Sequence, residues 1–401
     1  MVRSDLSSLP AYVPGASVEG ALKLASNESA LAPLPSVSRA IAEAAAGINR
    51  YPDMGGFALR QKLAECFSVQ ANNASAFTTD NIALGNGSSA LCLQSIQATC
   101  SQGDEVIFAW RSFEAYPILT RIAGATPIQV PLTTDHRHDL PAMAGAITDR
   151  TRLIFVCNPN NPSGTTITDA QLRTFLGHVP AHVQVVLDEA YVEYNRADDQ
   201  PDEHALLAEY PNLAVCRTFS KAYGLAGLRL GYMVGSTEFI EAVNKVGIPF
   251  GVNALSQAAG AACLKAQNEL MLRVEETVAQ RARVEELIAK LCGADGAVDA
   301  DGTTGSDGAA SAETTTEASE PRSAGPAEAS GSRSASLAVP GQANFVWLPL
   351  GDNAQRFDGA MKAEGIVARC FPGEGVRVTV TNEEETERLI AALKKVLPEF
   401  V

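Results

Sequence analysis

Arg217-Thr218-Phe219-Ser220-Lys221-Ala222-Tyr223-Gly224-Leu225-Ala226-Gly227-Leu228-Arg229 decides how this chain is read. It follows an apolar run, Leu213-Ala214-Val215-Cys216, so the end of a strand hands Lys221 to a glycine-punctuated turn. A lysine is ordinarily a solvated surface charge. Here hydroxyls precede it and a lone arginine follows eight positions later. That company suits an amine that forms a Schiff base with an aldehyde cofactor, with Thr218, Ser220 and Arg229 around a phosphate.

Working outward, short apolar runs alternate with helical segments. They are Ile82-Ala83-Leu84, Glu105 to Ala109, Thr126 to Val130, Leu153 to Val156, Val183 to Leu187 and Ala214 to Cys216. Runs that are apolar on both faces and separated by helices indicate a largely parallel α/β sheet with crossovers. Near the C-terminus a strand at Asn344 to Leu348, a helix at Ala354 to Glu364, a strand at Arg377 to Val380 and a helix at Glu383 to Val396 predict a smaller α/β lobe. Between them, residues 294–338 form a tract of Gly, Ala, Ser, Thr and Pro without periodicity, read as a disordered insertion. The expected division is an N-terminal arm over 1–35, a large domain over 36–255 and a small domain over 256–401.

Composition narrows the function. Of 401 residues 46% are hydrophobic and 19% charged, which describes a soluble globular protein. The net charge of −15 argues against a nucleic-acid surface. The apolar stretch from Gly247 to Leu264 contains Pro249 and several polar residues, so no membrane span is expected. An N-terminus without a hydrophobic signal core points to the cytoplasm. Eight scattered cysteines lack a CxxC pair and the five histidines lack ligand spacing, so no metal site is expected.

In open α/β sheets ligands sit at the carboxyl ends of strands, and polar signatures fall there. Gly85-Asn86-Gly87-Ser88-Ser89 opens a helix and offers N–H groups to an anion, although a plain helix cap would look the same. Asn158-Pro159-Asn160-Asn161-Pro162 fixes an asparagine amide, which turn chemistry could also explain. Asp188 ends a buried run and needs a cation or a strong donor, unless it caps the following turn; Tyr191 lies three residues on. Taken in order, an amide, a carboxylate with a tyrosine, and a lysine among phosphate ligands match the ring oxygen, ring nitrogen, aldehyde and phosphate of pyridoxal phosphate.

Asn161-Pro162-Ser163-Gly164, Asp188-Glu189-Ala190-Tyr191 and Ser220 to Arg229 resemble the signatures of the fold-type-I pyridoxal-phosphate aminotransferases. Leu24 to Glu28, Arg50 to Asp53 and Gly375 to Val380 are similar to the histidinol-phosphate aminotransferase branch. The resemblance implies a large domain with a mostly parallel seven-stranded sheet, a homodimer, and pyridoxal 5′-phosphate as cofactor. Lys221 would be the covalent attachment point and proton shuttle, and Asp188 would keep the pyridine nitrogen protonated. Asn161 and Tyr191 would hold the ring oxygen and Phe113 would stack on the ring. Thr218, Ser220, Arg229, Ser88 and Ser89 would surround the phosphate, with Tyr51 reaching in from a second subunit. Arg377 would grip the substrate's anion, while Asn27 and Tyr12 close over it as an arm.

One place departs from the branch. Gly87-Ser88-Ser89-Ala90 stands where an acidic pair usually follows the glycine turn. That departure, with Val106 to Phe113 and Phe155 to Pro162, is similar to the aromatic amino-acid aminotransferases. The expected reaction is therefore exchange of an amino group between phenylalanine, tyrosine or tryptophan and 2-oxoglutarate. Histidinol phosphate is the alternative donor, since either substrate could use Arg377.

Overall fold

A computed structural model describes residues 19–70, 77–293 and 339–401. Tyr12 and the tract at 294–338 lie outside the described residues. In chain order the strands are β1 (Leu22–Lys23), β2 (Ile82–Gly85), β3 (Glu105–Trp110), β4 (Thr126–Pro131), β5 (Thr151–Cys157) and β6 (Gln184–Asp188). They continue with β7 (Leu213–Thr218), β8 (Gly231–Gly235), β9 (Phe345–Leu348), β10 (Ile366–Val367), β11 (Arg369–Phe371) and β12 (Gly375–Thr379).

Seven of these form one sheet in the order β2-β8-β7-β6-β5-β3-β4. Every pairing is parallel except those of β8, which runs antiparallel to both β2 and β7. Strand β8 is absent from the six apolar runs read in the sequence, because glycines at both ends, Gly231 and Gly235, leave an apolar run of three residues inside the glycine-punctuated segment. Strands β6 and β7 are buried along their whole length, as a sheet covered on both faces requires. One face packs through Leu91, Ile96 and Tyr116, and the other through Leu172, Phe175 and Leu206.

A smaller antiparallel sheet, β11-β12-β9, has its own apolar cluster that includes Phe357, Leu389 and Leu393. The chain's start joins this side: β1 pairs in parallel with β10, and Leu24 packs in the same cluster. The packing changes over inside the helix Gln267–Leu291 rather than at 255/256. Leu270 and Val274 pack with the larger body, Val284 and Ile288 with the smaller. A 25-residue helix is long enough to serve both cores. Among the described residues no helix is long and apolar enough to cross a membrane.

Candidate active site

The carboxyl ends of β2, β3, β5, β6 and β7 open onto a cavity of about 430 Å³, closed on its other side by β11 and β12. Ser88, Ser89, Phe113, Asn161, Asp188, Tyr191, Thr218, Ser220, Lys221, Arg229, Arg377 and Asn27 all line it. Of the residues singled out in the sequence, Tyr51 is the one described residue that does not. It is 82% exposed and meets the Phe250 ring at 4.7 Å with the planes tilted by 32°.

Lys221 Nζ donates to the Ser26 carbonyl at 3.0 Å. Burial pulls its pKa down to about 7; the Arg377 and Arg229 cations add to this, and Glu28 opposes it. The amine is therefore half uncharged near neutral pH, where an exposed lysine would be almost wholly protonated.

Asp188 ends β6 in full burial. Its Oδ2 accepts a 2.6 Å bond from the Tyr116 hydroxyl, while Oδ1 is buried with no hydrogen-bond partner among the described residues. Burial raises this carboxyl to about 6, opposed first by Tyr116 and then by the Ala190 backbone amide. Tyr116 in turn stacks on Phe155 at 4.6 Å and meets Phe113 edge-on. Sequence reading missed Tyr116: 72 positions separate it from Asp188, and a tyrosine in an amphipathic helix carries no local mark.

The end of the cavity around Ser88, Ser89 and Arg229 is built on glycines. Gly87 caps the helix Ser88–Thr99 with φ at 78°, so Ser88 and Ser89 occupy its first turn, where backbone N–H groups are unpaired by the helix itself. A Cβ on Gly87 would lie 2.5 Å from Arg229 Nη2, and one on Gly231 would lie 2.4 Å from Ser88 N. Those two missing side chains let Arg229, the helix start and the β7–β8 loop converge. Arg229 holds a left-handed φ of 55° and donates to the Ala226 carbonyl at 2.9 Å, while the Thr218 hydroxyl accepts from Ser220 N at 3.1 Å.

Around Arg377 and Asn27 the cavity lining is a network. Arg377 on β12 donates to the Ala25 carbonyl at 2.7 Å and to Asn161 Oδ1. Asn27, in the left-handed region that asparagine tolerates, donates to the Tyr191 hydroxyl at 3.0 Å and accepts from Thr379 at 3.1 Å. Asn27 thus ties the chain's start to Tyr191 and to β12 through Thr379. Two ion pairs tie the segment after β3 to the smaller sheet: Arg111 with Glu374, and Glu114 with Arg369. Neither pair was legible in the sequence.

Residues 19–301 match the family described as aminotransferase class I and II. The chain belongs to that family. Over 398 residues this aminotransferase is 58% identical to an aromatic amino acid aminotransferase of Corynebacterium jeikeium, covering 99% of this chain and 94% of the relative. It is 50% identical to one of Corynebacterium glutamicum, covering 98% of each. Among solved structures, histidinol-phosphate aminotransferase from Sinorhizobium meliloti in complex with pyridoxal 5′-phosphate aligns with a TM-score of 0.78 and 25% identity, covering 100% of this chain and 98% of that one. An aspartate aminotransferase mutant of Thermus thermophilus shares the fold with a TM-score of 0.74 at 21% identity, covering 99% of each chain.

The aminotransferase takes pyridoxal 5′-phosphate as its cofactor. The residues present fit that group. The unpartnered Asp188 Oδ1 is an acceptor awaiting a donor such as a protonated ring nitrogen, and the cradle that a Cβ at Gly87 would fill suits a phosphate. Among the described residues no cluster of His, Cys, Asp or Glu could hold a metal.

Proposed function

We propose that this aminotransferase moves amino groups from phenylalanine, tyrosine and tryptophan to 2-oxoglutarate, giving aromatic 2-oxo acids and glutamate. The observation that carries the reading is an apolar wall of Phe113, Ala115, Ile118 and Leu119 in the same cavity as one buried arginine, Arg377. An uncharged ring finds contact area on that wall, and a carboxylate finds a two-pronged donor in the guanidinium. The identity to relatives named for aromatic amino acids supports it. The weaker likeness to a histidinol-phosphate aminotransferase supports the second reading, in which histidinol phosphate is the donor.

When bound, pyridoxal phosphate supplies an aldehyde that takes up the amino group and a ring that accepts electrons as the α-proton leaves. Lys221 Nζ, lowered to about 7, is basic enough to take that proton and acidic enough to return it. A protonated ring nitrogen would favour the ionised form of Asp188 that burial alone disfavours, and Tyr116 orients the carboxylate. Asn161 and Tyr191 would hold the ring oxygen, and Phe113 would cover the ring. Ser88, Ser89, Thr218, Ser220 and Arg229 hold the phosphate. Arg377 aligns the substrate, with Asn27 positioning Tyr191.

The aminotransferase acts as a homodimer in which Tyr51 completes the partner's phosphate site. Support comes from the exposed apolar group around it: Ile48, Met54, Phe57 and Ile248. Its eight free thiols suit the cytoplasm. A donor panel tests the specificity: phenylalanine, tyrosine and histidinol phosphate, each with 2-oxoglutarate. The expected order places the aromatic acids first by at least tenfold in kcat/KM, about 1.4 kcal/mol of transition-state binding. A preference for histidinol phosphate overturns the reading, and Lys221→Ala turning over at the wild-type rate overturns the mechanism.

A further inference from the structure

Strand β6 serves both faces of the large sheet. Val186 packs with Tyr116 on one side and Leu187 with Leu206 on the other, so Asp188 continues the first row and Glu189 the second. The ladder runs on past the strand end: the Glu189 amide donates to the Cys216 carbonyl at 2.8 Å, beside the rung that pairs Asp188 with Cys216. On the second face Glu189 meets Arg217, the β7 residue before Thr218. Arg217 Nε donates to Glu189 Oε2 at 2.8 Å, and its Nη2 donates to Glu203 Oε1 at 2.6 Å in the helix Glu203–Glu209. Its guanidinium also lies 5.2 Å from the Phe67 ring centre. Glu189 and Arg217 are both buried. Burial pushes the Glu189 carboxyl up while the Arg217 cation opposes it, so hydrogen bonds hold the two as much as charge does. Such a pair gains little net stability over apolar residues of the same volume, but its forked geometry fixes a direction.

We propose that Glu189 and Arg217 are positioning residues for Asp188: their pair sets how far the end of β6 reaches into the cavity, and so where the Asp188 carboxylate meets the cofactor's ring nitrogen. Tyr116 orients the carboxylate from one face, and the pair fixes the backbone beneath it from the other. Neither Glu189 nor Arg217 lines the cavity, so both act through a neighbour. The inference rests on the role given above to Asp188. Two accounts compete with it. Arg217 precedes Thr218, so the pair could act through the phosphate end, which would weaken binding of phosphate itself. It could also serve stability alone, in which case its loss is felt equally with or without the Asp188 carboxylate.

The test is a double-mutant cycle on the full-length chain, read by titrating pyridoxal phosphate into the stripped proteins. Glu189→Met keeps the volume but removes the acceptor that Arg217 grips, and should weaken cofactor binding about fivefold. In an Asp188→Asn background the same change should cost less than about twofold, because the charged contact it places is already gone. Affinity for inorganic phosphate should stay within about twofold of the native chain. In the holoenzyme, kcat for the preferred amino donor should fall with KM held. If Glu189→Met does not fold, Arg217→Lys carries the same expectation, since a point charge cannot fork between Glu189 and Glu203. Equal losses in the two backgrounds, a matching loss of phosphate affinity, or a rise in KM at unchanged kcat overturns the proposal, as does native cofactor affinity in Glu189→Met. An Asp188→Asn chain that binds the cofactor as tightly as the native one sinks the role of Asp188 and this inference with it.

Discussion

Asp188→Asn should stabilise the cofactor-free protein at alkaline pH while weakening its hold on the cofactor. Burial lifts the Asp188 carboxyl from 3.8 to about 6, and one of its oxygens has no partner among the described residues. The unfolded carboxyl loses its proton near pH 4, the folded one near pH 6. Between those values the folded chain holds a proton that the unfolded chain has released, so stability falls as pH rises through the window. Above pH 7 the loss is complete. At about 1.4 kcal/mol for each pH unit, the gap amounts to about 3 kcal/mol. Asparagine has the same shape, cannot ionise, and keeps an oxygen for Tyr116. Its advantage over the native residue should grow from about 1 kcal/mol at pH 4.5 to about 3 kcal/mol at pH 8. Urea denaturation of the stripped proteins at the two pH values measures this. Titration with pyridoxal phosphate should show at least a tenfold loss of affinity in the variant, the scale of one charge-assisted contact of about 1.5–3 kcal/mol. An asparagine variant no more stable at pH 8 than the native protein, or one that binds the cofactor as tightly, would refute the role given to the buried charge.

Capture of the cofactor by the stripped protein needs an uncharged Lys221, so its rate should rise with pH through about 7. Arg377→Met removes the cation that depresses this amine most and should move the midpoint upward; an unmoved midpoint in stopped-flow absorbance contradicts the assignment. Gly87→Ala should displace Arg229, a flexible side chain, and lower cofactor affinity, with some loss of stability from the φ of 78° that alanine disfavours. Gly231→Ala meets backbone at Ser88, Gly87 and Arg217, which cannot step aside as a side chain can, and should lower the melting temperature by several degrees; an unchanged melting temperature for Gly231→Ala would be the wrong outcome. Tyr51→Ala mixed with Lys221→Ala should regain activity that neither has alone, because a mixed dimer holds one intact site; no recovery on mixing excludes a shared site.

Residues whose role depends on their own strand were legible in the sequence. Asn161, Asp188, Thr218 and Lys221 each follow an apolar run that ends at the cavity, so local pattern and position coincide. Pairs assembled by the fold were not. Tyr116 with Asp188 joins one helix to one strand end, and Glu114 with Arg369 joins chain segments 255 positions apart. Nothing in either neighbourhood marks these partners, because hydrogen bonding and charge pairing are satisfied in space. Asn27 was placed at the site, but its bonds to Tyr191 and Thr379, more than 160 positions away, were not legible. Tyr51 is exposed and does not line its own chain's cavity.

The one reversed strand of the large sheet has a consequence for mechanics. Because β8 runs back beside β7, Thr218 and Gly231 face each other, and the loop between them is pinned at its base by the Phe219 amide and the Leu230 carbonyl at 2.9 Å. Lys221 and Arg229 ride on that single closed loop, so the distance from amine to phosphate anchor is fixed by one rung of the sheet. Arg377 rides on a different sheet. Any hinge between the two bodies therefore changes how a substrate is presented while leaving the cofactor's frame of reference still.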